Sequence, residues 1–424
     1  MTARTLKVVI AGQMAGSLTQ GSSGQITFSY ESGYSGPPLS IAKRITNQTY
    51  TDKQVRPFLF GLLPDDPRVR QSMGAKFQVS GNNPFDLLVH SGLDCPGAVQ
   101  FCLEDDFATL ADREGSLSPI DDEGIAERLK QGREQNAAAW TDVQEHWSLG
   151  GQQSKFALRL EDGGWHRCLG SAATTHIFKG GIGRLEAQAL NEYVCMKLAR
   201  ACGLPVAEVS YQVFSGEPAI VVKRYDRRRT KGGAVIRLHQ EDFCQALGVL
   251  PENKYAENGG PGAADILALL RDKATSQQDA SALFIEMLFF NYLIAAPDAH
   301  AKNYSLLLGA SGEAVLAPLY DVASLFPYVR PRDHRRCAMS IGGENRIGHV
   351  GAHAIERFAQ ANNLADLGLD SQVCCEIMAS FAQTLPALLT EVFEESHALE
   401  GIEALRVRLE GPVRDLCAST LRML

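Results

Sequence analysis

The order of predicted strands and helices is the feature that most constrains this chain. Short apolar runs separated by glycine-rich turns dominate up to Tyr225, and helical periodicity dominates from there to Leu424. Within the strand-rich half, Leu185–Cys202 has apolar residues at helical spacing and is followed by Gly203 and Pro205, which end helices. A sheet with one embedded helix, followed by a helical half, predicts an α+β, bilobal fold.

The length of 424 residues allows about three domains of ordinary size. Leu6–Cys102 favours short strands and turns, and charge rises between Glu104 and Gln144, where Asp122–Gln135 is the one helical pattern. We predict a β-rich N-terminal region at 1–120, a strand-rich region at 121–229 and a helical region at 230–424.

Composition excludes several classes of protein. Hydrophobic residues make up 45% and charged residues 21% of the chain, which argues against disorder, collagen and coiled coil. The net charge of −8 argues against binding nucleic acid over the whole surface.

The 10 cysteines show no repeated Cys-x-x-Cys spacing, as expected for reduced cytosolic thiols. The apolar segment Ala282–Ala296 is too short and polar to cross a bilayer, and the N-terminus lacks a signal peptide. We therefore expect a cytoplasmic protein without a membrane association.

A polar cluster, Asp298–Asn303, follows directly after the apolar helix that stops at Pro297. A carboxylate at Asp298 could accept the proton of an attacking hydroxyl, and the amide oxygen of Asn303 could bind Mg²⁺. A second acid, Asp321, follows a predicted hairpin of Tyr304–Leu308 and Ala314–Leu316. Base loop, hairpin and metal-binding aspartate occur in this order in kinases. Taken alone, Asp298 and His300 would more often cap a helix end, and the spacing to Asp321 reverses that balance.

Two features suit phosphate binding. Ser148–Lys155 contains paired glycines, whose backbone N–H groups can wrap a phosphate, although a plain hairpin turn explains the same pattern. It is not a Walker A loop, because no Gly-Lys-Ser/Thr follows at the required offset. Lys179 ends a predicted strand and is followed by a helix bearing Glu192, as in the lysine–glutamate pair of kinases. A solvated lysine is the alternative.

Two basic runs lie near these features. Lys223–Arg229 ends the strand-rich half, where a kinase hinge would lie, and Arg330–Arg336 follows Asp321. Such runs are usually solvated faces. The second is the better candidate for binding an acidic or phosphate-bearing substrate, because it lies beside the predicted metal site.

At these positions the chain resembles the HipA serine/threonine kinase toxins of bacterial toxin–antitoxin systems, over nearly its whole length. The resemblance is carried by Ser148–Lys155, Thr174–Ile177 with Lys179, Asn191–Tyr193 with Cys195, Val222–Arg228, Gln240–Asp242 with Cys244 and Gln245, Gly259–Gly262, Asp298–Asn303, Tyr320–Asp321 and Phe58–Pro64. The resemblance implies a bilobal protein-kinase-like fold with an N-terminal β-rich subdomain and a helical C-terminal lobe.

The resemblance also implies roles for individual residues. Asp298 would be the catalytic proton acceptor, and Asn303 and Asp321 the Mg²⁺ ligands. Ser148 would be autophosphorylated, which displaces the phosphate loop and inhibits the kinase. ATP would contact a longer set, namely Gly150, Gly151, Gln152, Gln153, Ser154, Lys155, Lys179, Lys223, Arg224, Tyr225, His300, Lys302, Asn303, Tyr320 and Asp321.

The partners implied by the resemblance are a small helix-turn-helix antitoxin, HipB-like, operator DNA reached through that antitoxin, and an aminoacyl-tRNA synthetase as substrate. The chain departs from ordinary protein kinases, because Ala296 and Pro297 precede Asp298 in place of His-Arg. Its Asp-x-His-x-x-Asn order is similar to that of aminoglycoside and choline kinases. A small-molecule kinase, or a kinase-fold binding or corepressor module, therefore stays open as an alternative.

Overall fold

A computed structural model describes residues 3–104, 107, 115–134, 145–329 and 335–424. The chain forms two compact units, and each consists of three separate segments. The first unit contains Met1–Gly183, Gln212–Glu252 and Leu306–Ala314, and the second contains Arg184–Tyr211, Asn253–Ser305 and Val315–Leu424. This division differs from the three contiguous regions that we predicted, because the chain passes between the units several times.

The first unit begins with a five-stranded sheet. Its strands are β1 (Arg4–Ile10), β2 (Gln13–Gln20), β3 (Ile26–Tyr30), β4 (Thr49–Tyr50) and β5 (Val99–Cys102), in the order β4-β3-β2-β1-β5. Neighbouring strands are antiparallel, and Leu6, Leu18 and Phe28 lie side by side across three of them. All three side chains are fully buried. This face therefore forms part of the core of the first unit.

Three helices of the N-terminal region were missed in the sequence analysis. They are α1 (Asp52–Gly61), α2 (Pro67–Phe77) and α3 (Pro84–Ser91). The helices α2 and α3 start with proline, and the side chains of Asp66 and Asn83 accept hydrogen bonds from the backbone just beyond it. Proline after a capping residue is a helix start signal. We interpreted Leu6–Cys102 as short strands and turns, so the prediction of a β-rich region left out these three helices.

A second sheet, which belongs to the first unit except for residues 209–211, has six strands in the order β10-β11-β9-β7-β8-β6. These strands are β6 (Ser116–Pro119), β7 (Phe156–Glu161), β8 (Gly164–Leu169), β9 (His176–Lys179), β10 (Val209–Phe214) and β11 (Glu217–Lys223), and the helix α4 (Asp122–Glu134) lies between β6 and β7 in the chain. Phe178 contacts the rings of Phe156, Trp165 and Phe214. This aromatic cluster fixes β9, which ends at Lys179.

The strands β12 (Arg227–Arg229) and β13 (Val235–Arg237) form a hairpin. The strands β14 (His239–Asp242), β15 (Ser305–Leu308) and β16 (Ala314–Leu316) form a three-stranded sheet, which confirms the predicted hairpin of the last two. Two further helices flank these strands in the chain: α5 (Gln188–Ala201) precedes β10, and α6 (Phe243–Leu247) follows β14.

The second unit is mainly helical. Besides α5 it contains α7 (Ala263–Lys273), α8 (Gln277–Leu293), α9 (Ala352–Ala361), α10 (Ser371–Glu395) and α11 (Ile402–Met423), together with a hairpin of β17 (Arg336–Ile341) and β18 (Glu344–Arg346). The helix α10 packs against α5, α8, α9 and α11. This packing explains why α5 belongs to the helical unit although it lies between strands in the sequence.

By length and apolar composition alone, α10 is the one helix in the described part of the chain that could cross a bilayer. Its fully buried residues include Cys374, Met378, Leu385 and Leu389, which repeat at the spacing of one helix face. Glu376 lies between them, Glu391 lies just after them, and both are exposed. A buried stripe with acidic residues on the other side indicates a helix that packs against protein along one face.

A buried carboxyl group at Glu241 gives the first unit a pH-dependent stability. Its Oε1 accepts a hydrogen bond of 2.6 Å from the backbone N–H of Ile41, and Lys43 is buried nearby. Burial raises the pKa of Glu241 to about 7. Because the folded state holds this proton while the unfolded state has lost it, the carboxyl lowers stability as the pH rises from about 4.5 to about 7.

We predict that the free energy of unfolding of Glu241→Gln, relative to that of the wild-type protein, increases by about 2 kcal/mol as the pH rises from 5 to 8. Urea unfolding of both proteins at each pH measures the difference. Burial lowers the pKa of His239 to about 4, which makes the folded protein more stable as the pH rises. This contribution is the same in both proteins and cancels when they are compared at equal pH. A difference that does not change with pH would contradict this account of Glu241.

Candidate active site

The predicted catalytic loop begins where the buried helix α8 ends in the second unit. Ala295 has a left-handed φ of 54°, and the N–H of Ala296 donates to the carbonyl of Asn291 at 2.8 Å. This turn leads the chain through Pro297 to Asp298. A non-glycine residue in the left-handed region is uncommon and needs support from the surrounding structure. The support here is the fully buried end of α8, so the loop starts from a rigid element.

The carboxylate of Asp298 is 60% exposed, and its orientation is defined by the residues around it. The backbone carbonyl of Asp298 accepts hydrogen bonds from the N–H of His300 at 2.8 Å and from Nδ2 of Asn303 at 2.6 Å. Its Oδ1 accepts a hydrogen bond of 2.5 Å from the hydroxyl of Tyr255 and lies 3.5 Å from Nε2 of His300. An exposed carboxylate on a fixed loop is suited to accept a proton from a bound hydroxyl.

The contact of Asn303 with Asp298 also orients the Asn303 amide. Because Nδ2 donates to the Asp298 carbonyl, the amide oxygen is the atom left to bind a cation. Asn303 is 8% exposed and lies in a one-turn helix, Ala301–Asn303, together with the buried Lys302. A fixed amide oxygen of this kind is a chemically appropriate ligand for Mg²⁺.

Asp321 lies on a segment that is attached to the catalytic loop on both sides. Before it, the hydroxyl of Tyr320 donates to the carbonyl of Lys302 at 2.8 Å. After it, the N–H of Leu325 donates to the carbonyl of Ala295 at 2.9 Å. Asp321 itself has a left-handed φ of 60°. The structure thus brings the segment of the second predicted acid beside the loop of the first, as the sequence predicted, and places Asp321 in a backbone conformation that clusters at functional sites.

Among the described residues, no three His, Cys, Asp or Glu side chains form a metal cluster. In the described part of the chain, Asn303 offers an amide oxygen and Asp321 a carboxylate near the catalytic loop. This set fits Mg²⁺, which keeps several waters and binds through one or two carboxylates together with substrate phosphates. It does not fit a dedicated zinc site, which needs more nitrogen or sulfur ligands.

Helix α5 fixes the segment that follows Asp321. Nδ2 of Asn191 donates to the carbonyl of Ser324 at 2.7 Å, and Oδ1 of Asn191 accepts from the N–H of Ser324 at 3.3 Å. Asn191 is fully buried, and so is its neighbour Glu192. Asn191 belongs to one of the motifs that carry the family resemblance, and this pair of hydrogen bonds gives it a structural reason.

The predicted phosphate loop, Ser148–Lys155, lies in the first unit. Gly151 has a φ of 101°, which favours glycine, and a Cβ atom there would lie 2.6 Å from Nζ of Lys155. Lys155 is buried, whereas Gln152 is exposed. The loop is not the plain hairpin turn that was the alternative interpretation, because the strand β7 begins only at Phe156 and no strand among the described residues pairs across the loop.

The N-terminal region holds this loop at two points. Gly151 pairs with Pro64 in a parallel bridge, and the N–H of Asp65 donates to the carbonyl of Gly151 at 3.0 Å. Ser148 is 1% exposed, its N–H donates to the carbonyl of Asp94 at 3.1 Å, and its hydroxyl lies 3.4 Å from Sγ of Cys95. Ser148 is therefore inaccessible while the loop occupies this position.

The other predicted ATP contacts of the first unit differ in their surroundings. Lys179 is buried at the end of β9 and pairs with Ile220 of β11. Lys223 is exposed, and the hydroxyl of Tyr225 donates to Oε1 of Gln240 at 2.5 Å. The sequence therefore placed Lys179 correctly on its strand. Contact of these side chains with nucleotide stays a prediction.

The basic run Lys223–Arg229 is only partly a solvated face, because Lys223, Arg228 and Arg229 are exposed and the other two arginines are not. Arg224 and Arg227 are buried and bind the carboxylates of Asp94 and Asp226. The Arg224 guanidinium donates to Asp94, Asp226, Thr174 and the carbonyl of Cys95. These bonds use its N–H donors, so any contact of Arg224 with nucleotide would have to come from its backbone. In the second basic run, residues 330–334 lie outside the described part of the chain.

Two residues near the predicted site were missed in the sequence analysis. Tyr255 bonds the Asp298 carboxylate, and Asp94 anchors the buried arginines. Asp94 has no local signal, because its arginine partners lie more than a hundred residues away in the chain. Tyr255 precedes Gly259–Gly262, one of the motifs that carry the family resemblance. This proximity is the sequence signal that could have indicated a role for Tyr255.

Comparisons with known proteins show which family the chain resembles over most of its length. The model of the HipA N-terminal domain matches residues 6–102, and that of the HipA-like C-terminal domain matches 147–389. The chain is 36% identical to the protein named "Putative kinase Y4mE" of Sinorhizobium fredii, over 85% of this chain and 86% of that protein. It is 30% identical to the serine/threonine-protein kinase toxin HipA of Shewanella oneidensis, over 84% of this chain and 81% of the toxin.

A solved structure extends the similarity to the fold. HipA from Shewanella oneidensis, crystallised with HipB and its operator DNA, has a TM-score of 0.84, is 26% identical, and the match covers 99% of this chain and 98% of the other. The fold is accordingly kinase-like and contains both helices and strands. With both family models, these relatives and this structure in agreement, the chain belongs to the HipA family.

Proposed function

We propose that this chain is a Mg²⁺- and ATP-dependent serine/threonine protein kinase that acts as the toxin of a HipBA-like toxin–antitoxin system. The observation that carries the proposal is the exposed Asp298 carboxylate, held on a fixed loop with Asn303 bonded to the same residue. Such a carboxylate can orient an acceptor hydroxyl and take its proton as the γ-phosphoryl group is transferred. The family relatives named as kinases support this proposal.

In this proposal Asn303 and Asp321 would hold Mg²⁺, which would neutralise charge on the ATP phosphates. Lys179 and the loop Gly150–Lys155 would bind those phosphates. Catalysis would then depend on positioning and electrostatics, because phosphoryl transfer needs little covalent help from the protein. Asn191, which is buried and belongs to one of the motifs that carry the family resemblance, would act indirectly, through the segment that carries Asp321.

We propose further that Ser148 is autophosphorylated and that this inhibits the kinase. Ser148 is buried against Asp94 and Cys95. A phosphate on Ser148 would not fit in this position, and burying its charge would cost free energy. Phosphorylation would therefore hold the loop away from its position between the N-terminal contacts. We expect mass spectrometry to find phosphate on Ser148 after incubation with Mg²⁺ and ATP, and not in Ser148→Ala. Sites elsewhere with an unmodified Ser148 would contradict the autoinhibition model.

The partners are proposed from a relative whose structure contains HipB and operator DNA. We propose a HipB-like helix-turn-helix antitoxin for this chain, with operator DNA bound through it because the chain is acidic. The proposed substrate is an aminoacyl-tRNA synthetase, and the proposed location is the cytoplasm.

The experiment that tests this function incubates the chain with γ-labelled ATP and Mg²⁺ and offers it two classes of acceptor. A panel of bacterial aminoacyl-tRNA synthetases is the first, and aminoglycosides with choline are the second. We expect label on a serine or threonine of a synthetase, and none when EDTA removes Mg²⁺. Label on small alcohols alone would favour a small-molecule kinase, and failure to bind Mg²⁺ and ATP would favour a binding module.

A further inference from the structure

The segment Lys254–Gly262 in the second unit contains a tyrosine that no catalytic assignment above uses. The hydroxyl of Tyr255 donates a hydrogen bond of 2.5 Å to Oδ1 of Asp298. The ring of Tyr255 meets the ring of His300 edge to face, with 4.9 Å between centroids, and Nζ of Lys254 lies 5.4 Å from the Tyr255 centroid. Three contacts thus define where the hydroxyl lies.

These contacts divide the two oxygens of the Asp298 carboxylate. Oδ1 faces Tyr255 and the Nε2 atom of the buried His300. Within the described part of the chain, Oδ2 accepts no hydrogen bond, and the side chain is 60% exposed. Oδ2 is therefore the oxygen that is accessible to an incoming hydroxyl. A donor on Oδ1 reduces the rotation of the carboxylate about its last bond and keeps Oδ2 pointing outward.

The glycine motif that follows Tyr255 explains how this position is maintained. The N–H groups of Gly260 and Asn258 each donate to the carbonyl of Tyr255 at 3.0 Å. A Cβ atom on Gly260 would lie 1.8 Å from the carbonyl oxygen of Asn253 and 2.8 Å from that of Tyr255. No side chain fits there without a backbone shift, so glycine at 260 is a condition for the tight turn that carries Tyr255.

We propose that Tyr255 is a positioning residue for the general base, and that Gly259–Gly262 serves to place it. This inference rests on the proposed function, because it takes Asp298 as the proton acceptor. Tyr255 does not exchange a proton or touch ATP in this scheme. Its hydroxyl holds Oδ1, so that Oδ2 meets the acceptor hydroxyl in a productive geometry, and such orientation contributes strongly to the rates of enzymes.

The test compares Tyr255→Phe with the wild-type chain in the transfer of label from γ-labelled ATP to the chain itself. Phenylalanine keeps the ring against His300 and removes only the hydroxyl. We expect kcat to fall about tenfold or more, with KM for ATP unchanged, because positioning of the base affects the transfer step. Tyr211→Phe is the matched control, since Tyr211 lies in the same unit against Tyr193, and it should keep wild-type kcat and KM.

A double-mutant cycle with Asp298→Asn separates a positioning role from a general structural one. If the hydroxyl acts through the carboxylate, Tyr255→Phe lowers the rate in the wild-type background and has little further effect in the Asp298→Asn background. Equal losses in both backgrounds, or a wild-type kcat in Tyr255→Phe, would overturn the proposal for Tyr255 while leaving the kinase function intact. A wild-type chain that transfers no label would overturn the proposed function instead.

Gly260→Ala provides an independent check of the same idea. The added methyl group must displace the turn, so we expect a loss of kcat at least as large as that of Tyr255→Phe. Combining Gly260→Ala with Tyr255→Phe should add little to either loss. Circular dichroism and thermal unfolding establish that both variants are folded. A folded Gly260→Ala variant with wild-type kcat would contradict the role of the glycine motif.

Discussion

Asp298→Asn is expected to reduce phosphoryl transfer by about 10²- to 10⁴-fold, which is the usual contribution of a general base. Asparagine keeps the size of the side chain and the backbone contacts of residue 298, but it cannot accept the proton of the acceptor hydroxyl. The initial rate of label transfer from γ-labelled ATP measures the loss. Binding of ATP should change little, because Asp298 acts on the acceptor side of the reaction.

The matched control for this prediction is Asp415→Asn, which removes an exposed carboxylate from α11 in the same unit. It should retain wild-type activity. An Asp298→Asn protein that labels at the wild-type rate would show that Asp298 is not the base. In that case the other acid of the loop region, the half-buried Asp321, would need to be reconsidered as more than a metal ligand.

Asp94→Asn is expected to destabilise the protein by about 3–5 kcal/mol, because it removes one charge from a buried ionic network. Oδ1 of Asp94 accepts hydrogen bonds from Arg227 and Arg237 at 2.9 Å, and Oδ2 accepts from the hydroxyl of Thr174 at 2.7 Å. Arg224 approaches at 3.4 Å. The variant would leave the buried guanidinium groups of Arg224 and Arg227 with Asp226 as their remaining carboxylate.

The same network predicts the pH range of this contribution. Burial alone would raise the pKa of Asp94, but the neighbouring guanidinium groups of Arg227, Arg237 and Arg224 hold it well below its ordinary range. A depressed pKa stabilises the folded state above the unfolded value of about 3.9, and this stabilisation is lost as the pH falls below it. The stability difference between wild type and Asp94→Asn should therefore be full at pH 7 and shrink in acid.

Urea unfolding at pH 7 measures the cost of Asp94→Asn. Arg229→Ala is the control in the same unit, because it removes a partly exposed ion pair with Glu161 and should cost much less. A cost below that of Arg229→Ala would contradict the role of Asp94 as an anchor. Since Ser148 bonds the carbonyl of Asp94, loosening of the phosphate loop should accompany the loss of stability.

The parts of the fold that could be predicted from the sequence are those with a clear local pattern. The strand β7 was predicted at Phe156–Leu160 and extends one residue further, and the hairpin after the catalytic loop has the predicted limits to within a residue. Helix α5 was predicted at Leu185–Cys202 and is shorter by three residues at its start and one at its end. In each case apolar periodicity and a glycine or proline at the end agree with the tertiary structure.

The contributions of distant residues could not be predicted in this way. Nothing near Arg224 in the sequence indicates that its guanidinium is neutralised by Asp94, 130 positions away. A run of basic residues has the same local pattern whether it is solvated or buried, so burial of Arg224 and Arg227 depends on the tertiary fold. The hydrogen bond from Tyr255 to Asp298 has the same character, because the turn at Gly260 places the tyrosine.

The most direct measurement of the central claim is the identity of the amino acid that receives phosphate. The wild-type chain, treated with phosphatase and then incubated with γ-labelled ATP and Mg²⁺, is hydrolysed, and the labelled phosphoamino acids are separated. We predict label on phosphoserine or phosphothreonine, absent with EDTA and strongly reduced in Asp298→Asn. A chain that binds ATP and Mg²⁺ but places no phosphate on a serine or threonine, in itself or in any offered protein, would contradict the account.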